Sequence, residues 1–528
     1  MTGVKDTPEE EYVQLEELDS RSSIKVAALP LAEDEQPSVK ESLRRWPRLT
    51  LYALSLTSGI MLWGFDMSLV GNLASMPEFQ KVFGLQVDDG WIIASNWLSI
   101  WNIASNLGMM LGSVIAGWLG DKFGRRKMVA IGTTISAVAA ALLFVCDTMP
   151  TRDARCGFFF FAKTIQGLSN GVLTTSIQTW MSETVPASLR GPVLALFPIF
   201  QLVGQIIGAV VIQVLMDVPG RRGYRTGIAT MWPVGAVPFV AAFFMPESPA
   251  WLLRRRLTDQ AFRAHQRLEK SKRNPNTEHS FEKLQATIRH EEQVAAETRV
   301  SYKQCFTGTD RRRTLLVIGV MMLPELFGQH LVGSASYFLQ QVGLNASTAN
   351  LFFIVGIALS MVSLVVSWWT LTRFGRRVLT LSTLSAVTIL WLAVGIVGCL
   401  REGMFTRWFV PVSFMVIVIV AGVGVWPASY VIASETSSLR LRARTQGIGW
   451  LVNGLTSGII GATGPYLYNA DAADAGAKTG FLFVGLAGIS VVVAYFHVPE
   501  MKARSPAEID QMFEAGLKAP EFRAWKAL

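Results

Sequence analysis

Gly117-Trp118-Leu119-Gly120-Asp121-Lys122-Phe123-Gly124-Arg125-Arg126-Lys127 recurs in shortened form as Thr372-Arg373-Phe374-Gly375-Arg376-Arg377, and Gly124 and Gly375 stand 251 residues apart. Two further pairs keep nearly that spacing. Ser182-Glu183, with Arg190 seven residues on, matches Ser434-Glu435 with Arg442 at an offset of 252. Pro246-Glu247 matches Pro499-Glu500 at 253. The chain is therefore two copies of one unit joined by a linker. When both units are mostly apolar, such a duplication is the plan of alternating-access membrane transporters.

The composition is that of a membrane protein. Of 528 residues, 51% are hydrophobic and only 16% charged. A hydrocarbon core asks about 18 or more consecutive apolar residues of a helix. Windows of that kind predict twelve spans, near 50–71, 95–119, 127–147, 157–178, 192–216, 228–246, 314–336, 350–371, 378–399, 408–432, 445–468 and 479–498. The expected organisation is a polar, disordered tail (1–45), six spans (46–246), a linker of short amphipathic helices (247–313), six more spans (314–499) and a short tail (500–528). In that last tail, Ser505-Pro-Ala-Glu508 opens a helix through Phe513.

The net charge of +9 could suggest a nucleic-acid partner, but its distribution argues against one. Cations gather at Lys40, Arg44, Arg45 and Arg48, in the 121–127 and 373–377 loops, and in 247–313. An even number of spans puts all of these on one side, which the positive-inside rule assigns to the cytoplasm, with both termini. One loop disagrees: 217–227, expected outside, carries Arg221, Arg222 and Arg225. No cleavable signal precedes the first span, which would serve as the anchor. Cys146, Cys156, Cys305 and Cys399 make no metal-ligand spacing, so no metal or cofactor is expected. Cys146 and Cys156 flank one outer loop and could bridge; buried free thiols are the favoured reading. Asn345-Ala-Ser347 is a glycosylation sequon on a predicted outer loop, close to the membrane.

The duplicated motifs suggest a cytoplasmic gate. Gly124 and Gly375 permit tight turns. Arg125 and Arg126 can then pair with Asp121, with Glu183 or with helix C-termini, and Arg190 belongs to the same set. Arg376, Arg377, Glu435 and Arg442 form the second set, in which Thr372 replaces the aspartate. Such networks would join the two halves when the protein faces outward and part when it faces inward. The plainer alternative is a topogenic loop with solvated charges.

Ionisable residues inside spans are costly in lipid and commonly functional. Asp66 lies deep in the first span, Lys163 in the fourth and Glu325 in the seventh. Protonation of Asp66 would break an Asp66–Lys163 pair and so couple proton uptake to rearrangement; the alternative is a permanent structural pair. Gln201, Gln205, Tyr337, Trp426, Tyr430 and Asn453 place amides and aromatic faces inside spans. That mixture suits a neutral polyhydroxyl ligand, although interhelical hydrogen bonding would use the same residues.

These motifs closely resemble the sugar porter family of the major facilitator superfamily, over nearly the whole chain from about Arg45 to Phe522. The marks are Gly120-Asp-Lys-Phe-Gly-Arg-Arg-Lys127, Ser182-Glu183-Thr-Val-Pro-Ala-Ser-Leu-Arg190-Gly191, Pro246-Glu-Ser-Pro249, Thr372 to Arg377, Ser434-Glu435 with Arg442, and Pro499-Glu500. Finer features resemble the fungal α-glucoside (maltose-type) permeases: Pro77 to Gly84, Gly333-Ser-Ala-Ser-Tyr-Phe338, Ser367-Trp-Trp369 and Pro465-Tyr-Leu-Tyr-Asn469. The resemblance implies an all-α membrane protein, with twelve helices in two pseudo-symmetric six-helix bundles, the major facilitator fold. It also implies a midplane sugar site and proton symport. Asp66 falls at the family's first-span proton carboxylate, Lys163 where many members carry arginine, and Tyr430 where hexose porters have a sugar-stacking tryptophan. Trp63-Gly64-Phe65-Asp66 lacks the branch's glutamate, Pro198 replaces a frequent glutamine, and the paired glutamines of the seventh span are broken.

The expectation is a monomeric plasma-membrane importer of sugar by proton symport, its partners being sugar, protons and lipid. The rivals are an exporter of a small secondary metabolite and a non-transporting sugar sensor. No nucleophile–base set or phosphate loop supports an enzyme.

Overall fold

Backbone groups in hydrocarbon have no water to satisfy them, so long apolar runs must close their own hydrogen bonds as helices. The computed structural model describes residues 46–87, 90–185, 197–268, 275–297, 301–401, 403–438, 441–502, 504 and 506–525. The expected N-terminal tail and Arg190 lie outside these residues. The first half comprises α1 (Pro47–Ala74), α2 (Pro77–Phe83), the strands β1 (Leu85–Val87) and β2 (Gly90–Ile92), α3 (Ser95–Phe123), α4 (Arg125–Val145), α5 (Arg152–Thr184), α6 (Phe197–Leu215), α7 (Arg222–Ala229) and α8 (Met231–Phe244). Three helices follow: α9 (Pro249–Arg254), α10 (Thr258–Leu268) and α11 (Pro275–Glu297). The second half comprises α12 (Gly308–Leu326), α13 (Gln329–Gly333), α14 (Ala335–Gln341), α15 (Ala346–Arg373), α16 (Arg376–Val397), α17 (Met404–Val423), α18 (Val425–Thr436), α19 (Arg442–Tyr468) and α20 (Gly480–His497), with α21 (Pro506–Glu514) after it. The small antiparallel hairpin pairs Leu85 with Ile92 and was not foreseen.

Each of the twelve expected spans coincides with helix, but three are interrupted. The sixth breaks at Thr230 between α7 and α8, and the tenth at Gly424 between α17 and α18. The seventh is the most fragmented. Pro324 lies in the last turn of α12, and Gly328 follows in the left-handed region at φ 100°. Nine helical stretches among the described residues are long and apolar enough to cross a membrane on composition alone. The three spans that fall short are α5, α12–α14 and α19, and they bear Lys163, Glu325 and Asn453 respectively. Polar side chains that lower their apolarity are turned inward: Lys163, Gln166, Asn170 and Thr174 of α5 are all buried.

Within the first bundle, α3 and α5 lock together through two glycine pairs spaced four apart. A Cβ on Gly108 or Gly112 would stand 2.2 or 2.1 Å from the carbonyl oxygens of Thr164 and Leu168. A Cβ on Gly167 or Gly171 would stand 2.2 Å from those of Ser105 and Met109. Small residues that let backbones touch are the means by which helices associate in lipid, where burial against lipid tails gains little.

The loop that disagreed with the charge rule has a specific reason for its arginines. Arg225 pairs at 2.6 Å with Asp147, whose side chain is fully buried, and Tyr224 donates to the same carboxylate at 2.5 Å. Arg225 is there to neutralise a buried carboxylate, not to report topology. Cys146 and Cys156 are both free and buried, without a disulfide between them, and Cys399 is exposed.

Candidate functional site

The doubled motifs meet in one construction, built twice. The Glu247 carboxylate accepts from the backbone N–H groups of Arg125 (2.9 Å) and Arg126 (3.1 Å) at the start of α4. The Glu500 carboxylate accepts from those of Arg376 (2.8 Å) and Arg377 (3.2 Å) at the start of α16. A carboxylate there satisfies orphan donors and opposes the positive helix end. Arg126 donates to the carbonyls of Ala242 and Phe243, ending α8, and Arg377 to those of Tyr495 and Val498, ending α20. The first arginine of each copy reaches an acid on a neighbouring span: Arg125 to Glu183 at 2.9 Å, with Asp121 at 3.0 Å, and Arg376 to Glu435 at 2.9 Å.

Every one of these ties stays within its own bundle. Arg442 does not join Glu435 as expected: it lies exposed at the start of α19, and Arg376 is the partner of Glu435. One oxygen of Glu183 is buried without a partner.

The hydrogen bonds between described residues that join the bundles all lie in the membrane half remote from these arginines. The Ser95 backbone and hydroxyl donate to Asp471, and Ser99 and Asn102 donate to the carbonyls of Ala462 and Gly461. Ser336 donates to Asn72 at 3.0 Å, and Gln340 to the Ser75 carbonyl at 2.7 Å. Tyr337 belongs to this seal. Its hydroxyl donates to Asn469 at 2.9 Å and accepts from the Ile93 N–H at 3.3 Å. Tyr337, expected at the substrate, is not among the residues lining the central cavity, and its hydroxyl is engaged in the seal. Both side chains of the Asn345 sequon are also engaged: Asn345 caps α15 through the Thr348 N–H, and Ser347 accepts from Gln213 across the bundles.

Asp66 and Lys163 form an ion pair with side-chain exposures of 1% and 0%. Lys163 also donates to the Asp66 carbonyl at 3.2 Å. Asn170 donates to the second carboxylate oxygen at 2.9 Å, and Ser105 to the same oxygen at 3.3 Å. Both oxygens are thus engaged by three side chains from α3 and α5. Neither residue of the pair lines the central cavity; α1 reaches the cavity wall one residue further on, at Met67.

That cavity encloses about 970 Å³, solvent at its mouth included. Gln205 and Trp426 line it as the sequence suggested; Glu325, which the sequence left open, lines it too, together with Ser334, Ser360 and Ser457. Gln201, Tyr430 and Asn453 are not among its lining. Asn453 donates to the Met321 carbonyl at 2.9 Å, an interhelical bond, and Tyr430 stacks on Trp450 at 5.4 Å. Among the polar lining residues that the sequence reading missed are the neighbours Gln329 and His330. The signal was a polar pair directly after Gly328 in an otherwise apolar run. Much of the remaining wall is aromatic or aliphatic, including Phe327, Phe352, Phe353 and Phe414.

Two repeated bundles, sealed together in one half of the membrane around a central cavity, define a multi-pass membrane transporter of the major facilitator fold. Residues 52–513 match the family described as "Sugar (and other) transporter", and the chain belongs to that family. It is 26% identical to the MFS transporter fmqE of Aspergillus fumigatus, over 98% of this chain and 97% of that protein. It is 24% identical to the alpha-glucosides permease MPH3 of Saccharomyces cerevisiae, over 92% and 80%. Among solved structures it is similar in fold to the inward open xylose transporter XylE of E. coli, with a TM-score of 0.72 at 16% identity, over 88% of this chain and 99% of that one.

Proposed function

We propose that this chain is a proton-coupled importer of a sugar at the plasma membrane, an oligosaccharide or α-glucoside by preference. The observation that carries the reading is the buried Asp66–Lys163 pair, whose aspartate lies on α1, the helix that reaches the cavity wall at Met67. Two opposite charges withdrawn from water hold each other at a large desolvation cost, so adding a proton to one changes the energy of the whole arrangement. A proton on Asp66 releases Lys163, and substrate enters the cavity that α1 lines through Met67. Hydroxyl and amide groups of Gln205, Gln329, Ser334, Ser360 and Ser457 suit a polyhydroxyl ligand, with Trp426 as a face to stack on.

On this reading the arginine loops and both termini are cytoplasmic, and the sealed half is the outer one. Closing the cytoplasmic side would bring the Arg125–Glu183 and Arg376–Glu435 clusters together. Exposed Arg442 and the unpartnered Glu183 oxygen are then available to bond between bundles. The test is uptake of labelled maltose and glucose by cells lacking their own sugar permeases, in acidic and neutral medium. Acid-stimulated accumulation that a protonophore abolishes supports the reading; equal uptake in both media, or none despite surface expression, refutes it.

A second reading is export of a small, less polar metabolite, favoured by the aromatic wall formed by Phe327, Phe352, Phe353 and Phe414. A biosynthetic gene cluster beside this gene would favour export, and neighbouring glycosidase genes would favour uptake.

A further inference from the structure

We propose that Glu325 anchors a positively charged nitrogen on the transported molecule, so that the cavity prefers a ring-bearing ammonium compound to its neutral counterpart. The proposal rests on the cavity being the transport site, and it concerns the charge of the substrate, whether sugar or aromatic, rather than the coupling.

The argument begins with charge balance inside the membrane. Asp66 is paired with Lys163, and Asp147 with Arg225. Glu325 has no such partner: it is 5% exposed, forms no ion pair among the described residues, and its Oε2 atom is buried without a hydrogen bond. The groups facing it are neutral or weakly basic. Ser457 is within hydrogen-bonding reach of the carboxyl and lies 3.4 Å from Nδ1 of His330, and the Tyr430 phenol is nearby. A buried acid without a countercharge avoids the several-kcal/mol cost of a bare charge by keeping its proton, and a ligand cation that takes the proton's place lets it ionise at far lower cost.

The backbone adds to the attraction. The break at Gly328 ends α12 inside the membrane, which leaves Glu325 in the last turn of a helix. The negative end of that helix dipole points where the carboxylate lies, so both favour a cation. Trp426, Phe327 and Phe414 line the same cavity and offer aromatic faces to an ammonium group. The unpartnered Oε1 of Gln329 is a further acceptor on the wall and, like Glu325, asks for a donor.

Sugar and aromatic bodies can both carry the ammonium group, so the test uses matched pairs of each kind. Purified full-length protein would be titrated with glucosamine against glucose, and tyramine against tyrosol, with ligand-induced thermal stabilisation as readout. We expect the ammonium member of one pair to act at about thirtyfold lower concentration than its neutral partner. The responding pair identifies the body. Glu325→Gln is expected to erase the difference, so that the charged and neutral members of that pair act at the same concentration. Equal action of charged and neutral members in the native chain, or no action of either ammonium compound, overturns the proposal without any variant. So does an undiminished preference in Glu325→Gln. Failure of the coupling reading would show separately, as acid-stimulated uptake that survives Asp66→Asn.

Discussion

The backbone N–H of Ser95 donates to the Asp471 carboxylate at 2.7 Å, a bond between residues 376 apart in sequence and in different bundles. Beside it, buried Asn469 donates to the Ile93 carbonyl (2.7 Å), to Ser95 (3.1 Å) and to Asp471 (2.8 Å), and accepts from Tyr337. The seal is therefore a polar cluster that must come apart for that side to open. Asn469→Ala should cost the sealed state about 2 kcal/mol, because buried partners lose their bonds, and Asp471→Ala, at an exposed position, nearer 1 kcal/mol. The check is alkylation of Ser99→Cys, in a chain lacking exposed Cys399, from the sealed side. Labelling should be faster in both variants and fastest in Asn469→Ala; unchanged rates would remove the seal from the mechanism.

The Asp66–Lys163 pair makes a prediction about stability as well as transport. Asp66→Asn leaves a buried ammonium without its countercharge, a defect of about 3–5 kcal/mol. Expression and melting temperature should fall, and recover in part in Asp66→Asn with Lys163→Gln, where no charge remains. Transport separates the two roles. Both variants should lose accumulation against a gradient, and the double variant should keep downhill exchange. Uphill uptake by either one would show the pair to be purely structural.

The features legible in the sequence are those that lipid enforces. Apolar length gave the twelve spans, and the cost of charge in hydrocarbon singled out Asp66, Lys163 and Glu325 before any contact was known. The repeat offsets marked Glu247 and Glu500, although not that they cap the helices beginning at Arg125 and Arg376. The seal was not legible. Asn469 and Asp471 are ordinary polar residues at a helix end, and their partners lie hundreds of positions away. Tyr337 is ambiguous for the same reason: a tyrosine inside a span serves a cavity or a seam equally well until the register between bundles is known. Gln201, Tyr430 and Asn453 share that ambiguity. Their spans are inward-facing, but one residue of rotation about a helix separates the cavity from the neighbouring helix.

Close packing of α3 on α5 predicts a sharp contrast among glycines. Gly112→Ala places a methyl group 2.1 Å from the Leu168 carbonyl oxygen, where backbone must move. Gly117, on the same helix, has nothing within 4 Å of its added Cβ. Gly112→Ala and Gly171→Ala should abolish or severely reduce folded protein in the membrane. Gly117→Ala should be neutral or slightly stabilising, by at most about 1 kcal/mol, since alanine is the better helix former. Fluorescence-detected size exclusion of tagged variants reads this directly, and a monodisperse, abundant Gly112→Ala protein would contradict the packing.

The duplicated caps allow one half of the molecule to test the other. Glu247 and Glu500 do the same chemical work, a carboxylate on two backbone N–H groups at a helix start. Replacing either by Gln keeps the shape and one acceptor but removes the charge, which should cost about 1 kcal/mol at each helix. Ala removes the acceptor too and should cost about 2 kcal/mol. If the caps only stabilise their own bundles, the two single losses in melting temperature are equal and add in the double variant, because the sites share no partner. If they also take part in closing the arginine face, the double variant departs from that sum and changes the rate of transport more than either single change. Measuring melting temperature and uptake on the same four proteins therefore separates a fold built twice from a gate built twice.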